Sequence, residues 1–138
     1  MKGLGSVLRG GDLVALIGEL GSGKTWFAKG VALGLDVAPD TVVMSPSFSL
    51  VNEYNCRHAF YHMDLYRLEN LTDVLLTGLE EYLHKEGVVV MEWADRWPEI
   101  LPEQRIDVKF DIIDDHRREI TISGRHPRAV EIMKGLEA

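Results

Sequence analysis

Hydrophobic and polar positions divide the chain into short apolar runs and longer helical periodicities. Leu13-Val14-Ala15-Leu16-Ile17 is a continuous apolar run closed by Gly18, the pattern of a strand buried on both faces. From Lys24 to about Leu35 the period changes to helical, with Phe27, Val31 and Leu35 four residues apart and Gly34 near the end. Residues 41–55 hold Val42-Val43-Met44, then Ser45-Pro46, then an alternating stretch through Val51 and Tyr54, which predicts extended structure around a turn. Ala59–Met63 predicts a strand stopping at Asp64, and Leu71–Glu86 a helix or a helix pair broken at Gly78. Val88–Met91 is the most buried-looking strand, ending at Glu92. Thereafter Ile106, Val108, Phe110 and Ile112 alternate with Asp107, Lys109 and Asp111, and Ile120 and Ile122 repeat the alternation after the polar turn Asp114-Asp115-His116. That is an antiparallel hairpin. A terminal helix over 127–137 would use Val130, Ile132, Met133 and Leu136 as its apolar positions. The expected fold class is therefore α/β, a mixed, mostly parallel sheet flanked by helices with a C-terminal antiparallel hairpin. No repeat or long linker interrupts it, so one domain is expected over 1–138.

Composition narrows the function classes. The chain has 138 residues, 46% apolar and 27% charged, too apolar for a disordered tail. No run approaches the roughly 18 apolar residues of a membrane span, and Arg9-Gly10-Gly11-Asp12 breaks the only candidate signal region, so no membrane role is expected. Cys56 is the single cysteine, which suits a reducing cytoplasm. With 22 acidic against 15 basic side chains the net charge is −7, and the basic residues form no stripe. Such a chain gains little from counterion release on a phosphate backbone, so any nucleic acid in its biology would be held by another protein.

Gly18-Glu19-Leu20-Gly21-Ser22-Gly23-Lys24-Thr25 fits G-x-x-x-x-G-K-[ST] at every position, between a predicted buried strand and a predicted helix. Glycines let successive backbone N–H groups converge on phosphate oxygens, and the helix N-terminus adds partial positive charge. Lys24 would reach the β- and γ-phosphates and the Thr25 hydroxyl would ligate Mg²⁺. The fold expected is thus that of a P-loop NTPase, with Glu19, Leu20, Gly21, Ser22, Gly23, Lys24, Thr25 and the adjoining Trp26 as the nucleotide-binding run. A second carboxylate should stand at the end of a neighbouring strand, where it can hold the metal or orient the attacking water. Glu92 and Asp64 both occupy such points. No Asn-Lys-x-Asp guanine-reading motif exists, and the chain is short for a module with a helical lid. The arginines do not cluster into an obvious kinase lid, although Arg96 and Arg105 keep that reading open. Elimination leaves a minimal ATPase. A small-molecule kinase, and a non-catalytic module whose P-loop gates association, stand as the alternatives.

Read in order, the motifs resemble the bacterial TsaE (YjeE) ATPase family, which takes part in making threonylcarbamoyladenosine in tRNA. They are Gly11-Asp12, Gly18–Thr25, Ser45-Pro46-Ser47-Phe48, His62-x-Asp64-Leu65-Tyr66-Arg67, Gly78-Leu79-Glu80-Glu81-Tyr82, Glu92-Trp93 and Leu101-Pro102, covering about residues 4 to 124. The resemblance implies ATP and Mg²⁺ as cofactors and Lys24, Asp64 and Glu92 as the catalytic set. Thr25 and Glu92 would hold the metal, and Asp64 would act as base, water-orienter or outer support. Ser45, Pro46, Ser47 and Phe48 would form a switch-like segment sensing the γ-phosphate, with Ser47 where the family usually has threonine. Tyr66, Arg67 and Trp93 would lie near the nucleotide or a partner, and Arg118 in the hairpin would serve the base side of the pocket. His62 reads as an outward-facing strand residue with a structural role. The partner implied is a TsaB–TsaD-like protein complex, with tRNA reached only through it. The family carries an extra strand and a longer helix ahead of Gly-Asp, where this chain has Met1–Gly10; Leu4 and Leu8 read as the last turn of that helix.

Overall fold

The computed structural model describes residues 2–18, 24–38, 51–65, 68–76, 78–83 and 86–137. The elements in chain order are α1 (Lys2–Val7), β1 (Leu13–Ile17), α2 (Lys24–Gly34), β2 (Val51–Asn55), β3 (Ala59–Asp64), α3 (Leu71–Leu76), α4 (Leu79–Leu83), β4 (Val88–Glu92), two 3₁₀ turns (Ala94–Arg96 and Pro98–Ile100), β5 (Ile106–Asp114), β6 (Arg117–Ser123) and α5 (Pro127–Glu137). One six-stranded sheet runs β2-β3-β4-β1-β5-β6. β3, β4, β1 and β5 are mutually parallel, and β2 and β6 are added antiparallel at the two edges. The hairpin of β5 and β6 matches the alternation in the sequence. The pairing of β2 with β3 is a second antiparallel edge, which the extended pattern of 41–55 does not announce.

Successive strand residues point to opposite faces, and the two faces carry different cores. Val14, Leu16, Phe60, Val88, Val90, Ile106, Val108 and Phe110 pack with Leu4, Leu8, Phe27, Val31, Leu35, Ala129 and Ile132, so α1, α2 and α5 cover one face. Leu13, Ala15, Tyr61, Met63, Val89 and Met91 pack with Leu65, Leu68, Val74, Ala94 and Ile100 on the other. Both faces of the central strands are dry, which is why β1 and β4 read as unbroken apolar runs. The rings of Phe27 and Phe110 meet edge to face with centroids 5.4 Å apart, joining α2 to β5. α1 lies so close on α2 that a Cβ at Gly5 would collide with the Val31 carbonyl oxygen. Gly78, at φ 76°, separates α3 from α4 at the predicted break.

In α5 the apolar stripe differs from expectation by one position. Ala129 and Ile132 are buried and Met133 and Leu136 pack beside them, whereas Val130 is 38% exposed. Positions 129, 132, 133 and 136 share one helical face, and Val130 falls a hundred degrees off it. The helix is fastened by charge as well. Arg128 donates Nε to Asp12 Oδ1 at 2.9 Å and Nη2 to Asp12 Oδ2 at 2.7 Å, and Nη2 also reaches the Val7 carbonyl at 2.9 Å. The Arg9 N–H completes the set on Asp12 Oδ2 at 2.8 Å. Asp12, almost wholly buried at the entrance to β1, is thus paired on both oxygens, and this hydrogen bonding raises the already high Arg128 pKa. Arg57 does similar work across the molecule, donating to the Gly5 carbonyl at 3.0 Å from the turn between β2 and β3.

The β5–β6 turn is closed by Asp114. Its Oδ1 accepts the His116 N–H at 2.8 Å and its Oδ2 the Arg117 Nε at 2.6 Å, an Asx turn with an added guanidinium. The His116 N–H first, and Arg117 second, hold the carboxyl below its ordinary pKa. Because the folded-state value is depressed, the turn gains its support above the unfolded value of about 4 and loses it as pH falls through the folded one. The His116 amide shift is therefore expected to titrate with a midpoint below that of a free aspartate, and Asp114→Asn to abolish the titration. A midpoint at the free value would contradict the Asx turn.

Candidate nucleotide site

Three strand ends meet at one edge of the sheet. Leu16 of β1 is in register with Glu92 of β4, Glu92 with Asp64 of β3, and Ile17 with Lys109 of β5. Beyond Ile17, Gly18 turns at φ 151°, a backbone conformation that other residues rarely adopt, and α2 opens at Lys24. β1 therefore leads to a helix on one face, while β4 leads through Trp93 to the 3₁₀ turns, whose Ala94 and Ile100 pack on the other. Diverging connections from adjacent parallel strands leave a crevice at their carboxyl ends, the usual place for a ligand in an open α/β sheet. The backbone bends sharply at Trp93, a left-handed residue with φ 60° and ψ 31°, a conformation that costs a non-glycine residue about 1–2 kcal/mol.

The pleat decides which side chains face α2. Val88 and Val90 belong to the α2-side core, so Glu92 points to that side; Phe60 belongs to it too, and His62 and Asp64 follow. Glu92 is 3% exposed and His62 fully buried. His62 Nε2 lies 2.6 Å from Glu92 Oε2, a short hydrogen bond in which the imidazole N–H donates to the carboxylate. His62 Nδ1, equally buried, has no partner among the described residues. The expectation of an outward-facing His62 is corrected: the α2 layer covers the face on which it lies. Its spacing from Asp64 was the available signal, since residues two apart on a strand share a face.

Of the other predicted site residues, Lys24 and Thr25 occupy the first two positions of α2, directly after the loop sequence. Asp64 is half-buried at the last position of β3. Trp26 is 70% exposed beside them. Glu19, Leu20, Gly21, Ser22 and Gly23, the segment Ser45, Pro46, Ser47 and Phe48, and Tyr66 and Arg67 lie outside the described residues. Arg118 is spent on the hairpin turn, donating Nη1 to the Asp114 carbonyl at 2.9 Å. A cleft of about 360 Å³ beside Gly18 is lined instead by Ile17, Trp93, Asp95, Lys109, Asp111 and Ile112. It lies next to β5, and Arg118 is not part of its wall. Glutamate and threonine side chains both offer oxygen donors, the hard chemistry that suits Mg²⁺.

A family model described as "Threonylcarbamoyl adenosine biosynthesis protein TsaE" matches residues 1–120. The chain belongs to the TsaE family. It is 40% identical over 120 residues to the tRNA threonylcarbamoyladenosine biosynthesis protein TsaE of Treponema pallidum, covering 87% of each chain. The TsaE protein of Bacillus subtilis is 43% identical over 114 residues, which are 82% of this chain and 70% of the relative. Among solved structures, the crystal structure of Bacillus subtilis YdiB superposes with a TM-score of 0.82 at 35% identity, over 99% of this chain and 83% of that one. The motif order in the sequence and the TsaE family match therefore agree, and no helix among the described residues is long and apolar enough to cross a membrane.

Proposed function

We propose that this TsaE-family chain is a Mg²⁺-dependent ATPase of tRNA threonylcarbamoyladenosine biosynthesis, acting in the cytoplasm by cycling a TsaB–TsaD-like protein complex rather than by transferring the group itself. The observation that carries the reading is the buried Glu92 carboxylate at the end of β4, adjacent to β1 and on the side covered by α2, where the loop sequence Gly18–Thr25 begins and ends. In this reading Lys24 sets its charge against the β- and γ-phosphates. The Thr25 hydroxyl and Glu92 hold the metal, which neutralises charge developing on the phosphate oxygens. Asp64, one strand away, takes or orients the proton of the attacking water as the bond from the γ-phosphorus to the ADP oxygen breaks. Ser45–Phe48 senses whether the γ-phosphate is present. The net charge of −7 favours a protein interface over direct tRNA contact.

The test is ADP release from ATP and Mg²⁺ with and without purified TsaB–TsaD. Stimulation by the partners is expected, with Lys24→Ala reducing the stimulated rate at least tenfold and weakening nucleotide binding. Tight nucleotide binding without any turnover, partners present, would replace the ATPase by a nucleotide-gated binding module.

A further inference from the structure

We infer that His62 is a positioning residue for the metal-binding carboxylate, fixing the orientation in which Glu92 meets the metal. The inference rests on the metal role proposed for Glu92. Its own basis is the 2.6 Å bond from His62 Nε2 to Glu92 Oε2, made between two side chains that solvent scarcely reaches. A glutamate at a strand end has three side-chain torsions to settle. A fully buried imidazole, stacked with Phe60 at a centroid distance of 6.3 Å, has little freedom to follow it. The hydrogen bond therefore transfers the rigidity of β3 to the carboxylate of β4. It also holds the carboxylate plane in one orientation, which the Glu92 side chain alone would not fix. A carboxylate fixed in one orientation suits a small ion that demands near-ideal octahedral geometry, whereas Ca²⁺ accepts flexible mono- or bidentate contact. His62 thus sets both how tightly the site holds a divalent ion and which ion it prefers. Nothing in the local sequence advertises this, because the two residues stand 30 positions apart.

The experiment uses the full chain loaded with a non-hydrolysable ATP analogue, and reads Mn²⁺ binding by electron paramagnetic resonance and Mg²⁺ and Ca²⁺ by competition. His62→Leu, close in volume and unable to donate, is expected to weaken Mn²⁺ and Mg²⁺ binding about 10- to 100-fold. Ca²⁺ should lose less, so the preference for Mg²⁺ narrows. His62→Gln places an amide nitrogen as many bonds from the backbone as Nε2 and should recover most of the loss, whereas a packing role would not discriminate between the two variants in this way. In a Glu92→Ala background, His62→Leu should have no further effect on metal binding. Mg²⁺ binding within twofold of the parent in a His62→Leu protein that melts cooperatively would overturn the positioning role while leaving Glu92 as ligand. Metal binding unchanged in Glu92→Ala would overturn both.

Discussion

Asp12→Ala is expected to destabilise the fold by about 3–5 kcal/mol, a large share of the total for a chain of this size. The substitution leaves the Arg128 guanidinium, itself largely buried, without the two oxygens it was built around. Arginine cannot escape by losing its proton. It also strips the Arg9 N–H of its acceptor. The effect should be read by urea unfolding followed by circular dichroism. Replacing both partners, Asp12→Ala with Arg128→Met, should recover much of the loss, because removing a buried pair together leaves no guanidinium short of its buried acceptors. In the single variant Glu131 is the only acid still beside Arg128 among the described residues. A single substitution costing under about 1 kcal/mol, within the range of an exposed pair, would show that the pair is solvated in solution.

Glu92→Gln is expected to lower single-turnover ATP hydrolysis about 10²- to 10³-fold, the scale seen when one charge-stabilising group is removed from an active site. Glutamine keeps the shape and can still accept the His62 N–H, so the melting temperature should hold within a few degrees. What disappears is the negative charge available to the metal. Nucleotide affinity measured without Mg²⁺ should therefore stay near the parent value while its enhancement by Mg²⁺ is lost. Equal losses with and without the metal would assign Glu92 to nucleotide contact or to folding instead.

Much of the fold can be read from local pattern alone. β1 and β4 are buried on both faces and show it as unbroken apolar runs; β5 is covered on one face and shows it as alternation. Gly78 marks its own break because a positive φ favours glycine. The motif Gly18–Thr25 is legible because its residues are contiguous in sequence. The ion pair of Asp12 and Arg128, 116 positions apart, is not legible, nor is the bond between His62 and Glu92. Each depends on how elements dock or on strand register, which is set by the sum of many apolar contacts rather than by any residue near the pair. Val130 illustrates a smaller failure. A valine in an amphipathic window looks like core, yet its neighbour Ala129 takes the buried position because 129 shares a helical face with Ile132, Met133 and Leu136 and 130 does not. The bends at Trp93 and through the two 3₁₀ turns likewise have no periodic signal to give.

The pleat that aims His62, Asp64 and Glu92 toward α2 makes this site unusually intolerant of changes in chain length. A substitution in β3 or β4 alters one side chain and leaves the others where they were. A single residue inserted or deleted within Val88–Glu92 exchanges odd for even, sending Glu92 to the face of the 3₁₀ turns even if the sheet closes without a gap. Parity thus behaves like a reading frame. Sequence drift at these strands can proceed by replacement, while insertions are confined to the connections between them.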